Sequence, residues 1–257
     1  IVWIETKMNC SVLLHAAPKY VNALLEKDLF SRFATTLLIP KNGKEGLRET
    51  VPQKTQMIVA DASALAASSI AVSFPQDTTL LSLLQSPPSG KTIVLAGSKR
   101  TIEQMFINHA EALEEKGITF ICQGLNGGQG RMEAEFIAAQ GTAILMLTPW
   151  MYEGSQLPPD TADRLVLESL PFDHPNQPVY SARFAHYQNG FESYALPRVE
   201  ARLWRLLRTF CRQRKADGPM LMLDKRLHEK AYGRRIQQYL SSLAGSNIEP
   251  KSATSKK

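Results

Sequence analysis

Cysteine is scarce in this sequence: among 257 residues there are three, Cys10, Cys122 and Cys211, far apart and odd in number. No CxxC pair and no Cys/His cluster exists. That argues against a zinc site, an iron–sulfur cluster or a disulfide framework within these residues. The histidines are also few, and His15, His109, His174, His186 and His228 show neither catalytic nor metal-ligand spacing. No cluster of carboxylates of the nuclease type is present, and Asp61, Asp77 and Asp224 have no partner that the sequence identifies. No metal site is expected. Apolar runs are short, none approaching the roughly 18–20 residues that span a bilayer, so no membrane partner is expected. The opening Ile1-Val2-Trp3-Ile4-Glu5 lacks a Met, a basic segment and a cleavage site, so it is no secretion signal. It reads instead as a strand within a longer chain.

What is present is ordinary in bulk. Hydrophobic residues make up 44% and charged residues 21%, enough for a sizeable core. The formal net charge is +6, compatible with nucleic acid or another anionic partner without being diagnostic. The length permits one large domain or two small ones.

Cys10 to His15 is a short apolar run that predicts a buried strand. Pro18 can open a helix over Tyr20 to Phe33, with Val21, Leu24, Leu25 and Leu29 on one face. Ala34 to Ile39 is strand-like, and Lys41 to Gln53 is polar, loop-prone and a possible boundary. Short strands are predicted at Gln56 to Ala60 and Ile70 to Ser73, then a turn at Ser86 to Gly90. The pattern then becomes regular. Strands are predicted at Lys91 to Ala96, Ile118 to Cys122, Ala143 to Leu147, Ala162 to Glu168 and Met220 to Asp224. Helices are predicted at Arg100 to Lys116, Met132 to Gln140 and Leu196 to Arg214. Such alternation implies an α/β fold, a parallel sheet flanked by helices. Ligands in such sheets sit beyond the carboxyl ends of the strands. Gly245 to Lys257 is Ser- and Lys-rich without periodicity and reads as a disordered tail.

Two glycine segments invite a phosphate-binding reading and do not sustain it. Ser89-Gly90-Lys91-Thr92 resembles the end of a phosphate loop, but Gln85 occupies the first glycine position and β-type residues come after Lys91. A plain turn is the better reading. Gly124, Gly127, Gly128 and Gly130 lack the GxGxxG spacing and the downstream acidic residue of a dinucleotide site, so a mobile turn is expected there.

Read in order, the segments resemble the C-terminal motor region of DinG/XPD-like superfamily 2 DNA helicases. Leu13 to Pro18 looks like the stretch before helicase motif III, and Phe33 to Leu37 like a worn motif III. Lys91 to Lys99 resembles motif IV, and Phe120 to Gly124 the family's strand with Gln-Gly at its end. Leu147 to Pro158 (LTPWMYEGSQLP) resembles motif V, usually close to GTxSFWEGVDxPG. Arg164 to Phe172, Pro175 and Pro178 resemble the family's strand, LPF and proline pattern after motif V. Leu196-Pro197 opens the helix that would carry motif VI. Leu223-Asp224-Lys225-Arg226 and Tyr232-Gly233 match the closing LDxR…YG pattern. The order and spacing of these segments together make the resemblance specific.

The resemblance implies a RecA-like, P-loop NTPase-type helicase C-terminal domain over residues 55–245. It is preceded by the end of a first motor domain over 1–54 and succeeded by the tail 246–257. It implies an ATP-dependent DNA helicase, with ATP and Mg²⁺ bound only together with a first motor domain. In such motors the second domain supplies arginines that neutralise charge developing on the γ-phosphate. Arg208 and Arg212 are the catalytic candidates, and Glu153, Gly154, Gln156 and Arg205 the ATP-binding ones. Ser98, Lys99, Arg100, Gln123, Gly124 and Thr148 are candidates for the backbone of single-stranded DNA or DNA junctions. Trp150 and Tyr152 either stack or pack, and Glu153 is placed to bridge motif V to an arginine of motif VI. The chain by itself is expected to be inactive, and the implied location is cytoplasmic and nucleoid-associated.

Three motifs depart from the family pattern. Against QGxGRxxR the chain offers Arg205 to Arg212, with Arg205 for the glutamine, Arg208 for the second glycine and Thr209 for the first finger arginine. Only Arg212 is kept. Gln156 stands where motif V has aspartate, and motif III is eroded. Either Arg208 replaces the lost finger, or the module is a decayed motor that binds nucleic acid or a partner protein. A third reading is an unrelated small-molecule enzyme. Arg198, Arg202, Arg205, Arg208 and Arg212 share one helical face. Spacing leaves a solvated and a phosphate-facing stripe equally open, and the resemblance favours the latter.

Overall fold

The computed structural model describes residues 1–6, 12–19, 36–40, 56–60, 70–215 and 217–244. The chain forms two compact units, one of Ile1–Ala64 with Phe172–Arg202 and one of Leu65–Pro171 with Leu203–Lys257. In the first unit, β1 (Val2–Thr6) and β2 (Val12–Ala16) pair as an antiparallel hairpin. β3 (Thr36–Pro40) and β4 (Gln56–Ala60) pair in parallel. β2 is not the buried strand that its composition predicts: Val12 is 64% and Leu14 74% exposed. The reason is geometric. A two-stranded hairpin has two faces, and Ile4 and Leu14 oppose each other on the one that no described residue covers. Trp3 and His15 occupy the other face, their rings stacked with centroids 4.9 Å apart. The helix expected at Tyr20 to Phe33, most of the motif III segment, the polar Lys41 to Gln53 and the tail lie outside the described residues.

The second unit opens with β5 (Val72–Ser73), α1 (Leu80–Gln85), β6 (Lys91–Leu95) and α2 (Lys99–Glu115). β7 (Thr119–Cys122), α3 (Gln129–Ala138), β8 (Ala143–Leu147), α4 (Pro149–Tyr152) and β9 (Arg164–Leu167) come next. The second segment of the first unit holds α5 (Pro178–Phe184) and a π-helical turn at Phe191–Ala195. α6 (Leu196–Gln213) then leads back into the second unit, which ends with β10 (Met220–Met222), α7 (Arg226–Glu229) and α8 (Ala231–Ala244).

The six strands order as β5-β10-β9-β6-β8-β7, and every pairing is parallel. The expected α/β architecture is present. A parallel sheet is covered on both faces, so its central strands read as unbroken apolar runs. Ile93, Val94, Leu95, Ile144, Leu145, Leu147, Leu165 and Val166 are all at most 1% exposed. Each such side chain contributes about 1.5–3 kcal/mol by leaving water. On one face Leu84, Ile102 and Leu113 pack with Val94, Ile144, Met146 and Val166. Among the described residues no helix is long and apolar enough to cross a membrane.

Several boundaries move. α3 starts at Gln129, so Gly128 is its N-cap and Gly130 lies inside it. The glycine turn is therefore shorter than its composition suggests. Lys91 opens β6 rather than a helix, and its ammonium donates to the Ile137 carbonyl at 2.7 Å. Of Ser89 to Thr92, read as a plain turn, only Ser89 and Gly90 are turn-like, and Lys91 and Thr92 already belong to the strand.

Candidate functional site

The carboxyl ends of β6, β8 and β7 lie side by side, and most of the sequence-predicted contact residues sit there. Ser98 caps α2, its hydroxyl accepting from the Thr101 N–H at 3.0 Å. Lys99 and Arg100 occupy the first turn, exposed. Gly97 lies against Ser169 and Glu168 at the end of β9, its N–H donating to the Glu168 carboxylate at 2.8 Å. A Cβ at residue 97 would stand 2.5 Å from the Ser169 hydroxyl, so a larger residue there would turn that side chain aside.

Gln123 and Thr148 are placed differently from what their candidacy supposes. They are 7% and 8% exposed. The Gln123 side-chain oxygen accepts from the Thr148 N–H at 2.7 Å and from its hydroxyl at 2.9 Å. They close β7 onto β8, while the neighbouring Gly124 is exposed.

Thr148 is also the N-cap of α4, with Pro149 opening the helix. This one-turn helix divides the two aromatics. Tyr152 is fully buried, and its hydroxyl finds no hydrogen-bond partner among the described residues. Burial, reinforced by Cys211 and only partly offset by the charge of Arg212, holds its phenol well above the ordinary value. Trp150 is 41% exposed.

The turn after α4 is held from two sides. From α6, Arg205 Nε donates to Glu153 at 2.9 Å, and Gln213 Nε2 donates to the Ser155 carbonyl at 3.2 Å and hydroxyl at 3.3 Å. From α3, the Glu133 carboxylate accepts from the Gln156 N–H at 3.2 Å and from Gln129 Nε2 at 3.0 Å. Gly154 sits between, near Gln129. The structure therefore joins Glu153, Gly154, Gln156 and Arg205 into one constellation. Glu133, Gln129, Ser155 and Gln213 support it and do not stand out in the sequence. The readable signal is Glu133, a carboxylate 8% exposed on the apolar face of α3 between Met132 and Phe136.

The arginine stripe of α6 is not uniform. Arg198 Nε and Arg202 Nη1 donate to the two carboxylate oxygens of Asp173 at 2.6 and 3.0 Å, and Arg202 is 7% exposed. Burial alone would push the Asp173 carboxyl up. The Arg198 hydrogen bond and the charges of Arg202 and Arg198 outweigh it and hold the carboxyl below its ordinary value. A single solvated or phosphate-facing stripe is thus corrected to Arg205, Arg208 and Arg212, which are exposed. The Arg208 guanidinium lies over the Trp204 ring, 5.3 Å from its centroid. Thr209, at the finger position, is 4% exposed. Leu203, Leu206, Leu207 and Phe210 are fully buried on the opposite side.

The closing motif has a structural explanation. Asp224, 7% exposed, accepts from the Leu170 N–H at 2.6 Å and from Arg226 Nη2 at 2.6 Å. Its partner is thus the arginine two residues on. In α8, a Cβ on Gly233 would collide with the Leu227 carbonyl, so glycine lets α8 pack against α7. An open cleft beyond β6, β9 and β10 is lined in part by Thr79, Leu81, Thr101, Met105, Ser169 and Lys225. Among the described residues no group of His, Cys, Asp and Glu side chains is gathered that could hold a metal ion.

Comparison with known proteins places the chain in a family. Residues 80–242 match the family described as the helicase C-terminal domain. The chain is similar to the 3'-5' exonuclease DinG of Bacillus subtilis (strain 168), 24% identical over 180 residues, 68% of this chain and 19% of that protein. It is also similar to the ATP-dependent DNA helicase YoaA of Escherichia coli (strain K12), 27% identical over 109 residues, 41% of this chain and 17% of that protein. The chain thus spans about a fifth of the curated relatives' length. Among solved structures its fold is similar to an XPD helicase with a TM-score of 0.56 and 12% identity, covering 79% of this chain and 40% of that one.

Proposed function

The chain belongs to the helicase C-terminal domain family, in its DinG/XPD-like branch, and on that premise we propose that it is the second motor domain of an ATP-dependent DNA helicase. Residues 55–245 are read as that domain, with the compact unit of Leu65–Pro171 and Leu203–Lys257 as its body, and residues 1–54 as the end of a first motor domain. The ligands are single-stranded DNA or DNA junctions and, in the interdomain cleft, ATP. A cytoplasmic, nucleoid-associated location fits that role.

The observation that carries the reading is the contact of Arg205 with Glu153 at 2.9 Å. It ties the segment resembling motif V, which starts at the strand ends, to the segment resembling motif VI, which carries the arginines. A change at either ligand is thereby felt at the other. Arg208 and Arg212, exposed and one helical turn apart, are set to receive phosphate oxygens, which a planar guanidinium binds in pairs. ATP, when bound, supplies the phosphoryl group whose charge these arginines neutralise. Glu153, Gly154, Gln156 and Arg205 shape the nucleotide side. Ser98, Lys99, Arg100 and Gly124 offer hydroxyl, cations and backbone to the DNA strand, while Gln123 and Thr148 hold that edge together. Mg²⁺ and the phosphate loop belong to the first domain, so this chain alone turns over no ATP.

A second reading, a decayed motor retained for binding, is favoured by buried Thr209 in place of an arginine and by Gln156 in place of a carboxylate. One pair of measurements tests both. Binding of single-stranded DNA by this chain is expected to weaken about tenfold or more between roughly 50 and 200 mM salt. In the longer protein, DNA-stimulated ATP hydrolysis is expected to be abolished by Arg212→Ala. Salt-dependent binding without any hydrolysis would leave the decayed, nucleic-acid-binding motor standing, and salt-indifferent behaviour would sink both it and the working motor.

A further inference from the structure

We propose that Trp150 is a base-stacking residue for single-stranded nucleic acid, placed in the middle of a row of three strand ends. The inference rests on the DNA-binding reading above and names a contact that reading does not contain.

α4 buries Pro149 and Tyr152 and leaves Trp150 41% exposed. Neighbouring parallel strands lie about 4.8 Å apart, and β6, β8 and β7 are consecutive in the sheet. Their carboxyl ends present three surfaces in a line. The β6 end presents exposed Ser98, Lys99 and Arg100; the β8 end presents Trp150; the β7 end presents exposed Gly124 and Leu125, the latter 45% exposed. A Cβ at Gly124 or at Gly128 would meet nothing within 4 Å, so the space beside the turn is open.

Cations beside an exposed aromatic suit a strand whose phosphates lie on one side and whose bases are free on the other. A duplex keeps its bases stacked inside and has no face to offer the indole. The polar groups at this edge cannot replace it, since the side chains of Gln123 and Thr148 are buried against each other. Stacking is tolerant of base identity, so Trp150 adds affinity without reading sequence.

The test uses this chain and an oligo-dT strand, followed by tryptophan emission and by anisotropy of a labelled strand. Oligo-dT is expected to quench the emission. Trp150→Leu is expected to remove most of the quench and to weaken binding about five- to a hundredfold. The dependence of affinity on salt should stay unchanged, because the phosphate contacts remain. Trp150→Phe keeps a stacking ring, so it should hold affinity within a few-fold while losing the emission change. If Trp150→Leu does not fold, that second variant decides, for a full quench there would come from Trp3 or Trp204 and overturn the proposal. Binding and quench unchanged in a folded Trp150→Leu would also overturn it, leaving the DNA-binding reading intact. Failure of the unaltered chain to bind oligo-dT in a salt-dependent way would overturn both.

Discussion

The side-chain oxygen of Gln123 receives two donors from one residue, the N–H of Thr148 at 2.7 Å and its hydroxyl at 2.9 Å. The pair is buried at the ends of β7 and β8. Thr148→Val removes one donor and keeps the other, at a cost of about 1 kcal/mol. Gln123→Leu strands both donors and should cost about 1–3 kcal/mol more. Urea titration of the two variants measures the difference. Equal losses would mean that the shared oxygen is not what holds the two ends together.

Asp224 makes stability depend on acid. Burial would push its carboxyl up, but the hydrogen bonds from Arg226 and from the N–H groups of Leu170 and Arg226 prevail and hold it below the usual carboxylate value. A carboxyl depressed in the folded state stabilises the fold above its unfolded pKa, near 3.9. That stability is lost as pH falls through the lower folded value. Asp224→Asn should therefore be less stable at pH 7 by about 1–3 kcal/mol, a few degrees in Tm. The deficit should shrink below about pH 4. Thermal unfolding across that range reads it directly, and a deficit that stays constant into acid would assign the loss to packing.

Cys122 should be chemically silent while the chain is folded. Burial pushes its thiol up to about 12, so almost no thiolate exists at pH 8. Iodoacetamide followed by mass spectrometry should leave Cys122 unmodified in buffer and modify it fully in urea. Rapid labelling in buffer would show that β7 opens locally.

Gly233 tests the closing motif. Inside an exposed helix, Gly→Ala normally stabilises by about 0.5–1 kcal/mol. Here the added methyl would meet the Leu227 carbonyl, and the sign should reverse to a loss of about 1–3 kcal/mol. A gain in Tm for Gly233→Ala would mean that α7 and α8 can separate at little cost.

The sheet was legible because its strands are buried on both faces: β6, β7 and β8 stand as apolar runs close to where Lys91 to Ala96, Ile118 to Cys122 and Ala143 to Leu147 predict them. α1 was not legible. Its capping box pairs Thr79 with Ser82, not with the Glu or Gln that marks such boxes in sequence. α8 has Ile236, Leu240 and Leu243 buried at helical spacing, but Gly233 in its first turn weakens the pattern. At the site, the Glu153–Arg205 bridge could be read from the order of motifs. The mutual burial of Gln123 and Thr148 could not, because it depends on the register of β7 against β8. Nor could the division of the arginines, since Asp173 lies on a separate segment that no helical spacing connects to α6.

The sheet is completed out of order. β10, at Met220–Met222, lies between β5, at Val72–Ser73, and β9. During synthesis the first of these strands has no partner until nearly 150 residues later, while β9 waits as an open edge. A chain stopped after α6 would present that edge to its neighbours, so a truncation that removes β10 is expected to aggregate rather than merely to lose stability. β10 is thus the seal on an edge that would otherwise be a template for other chains.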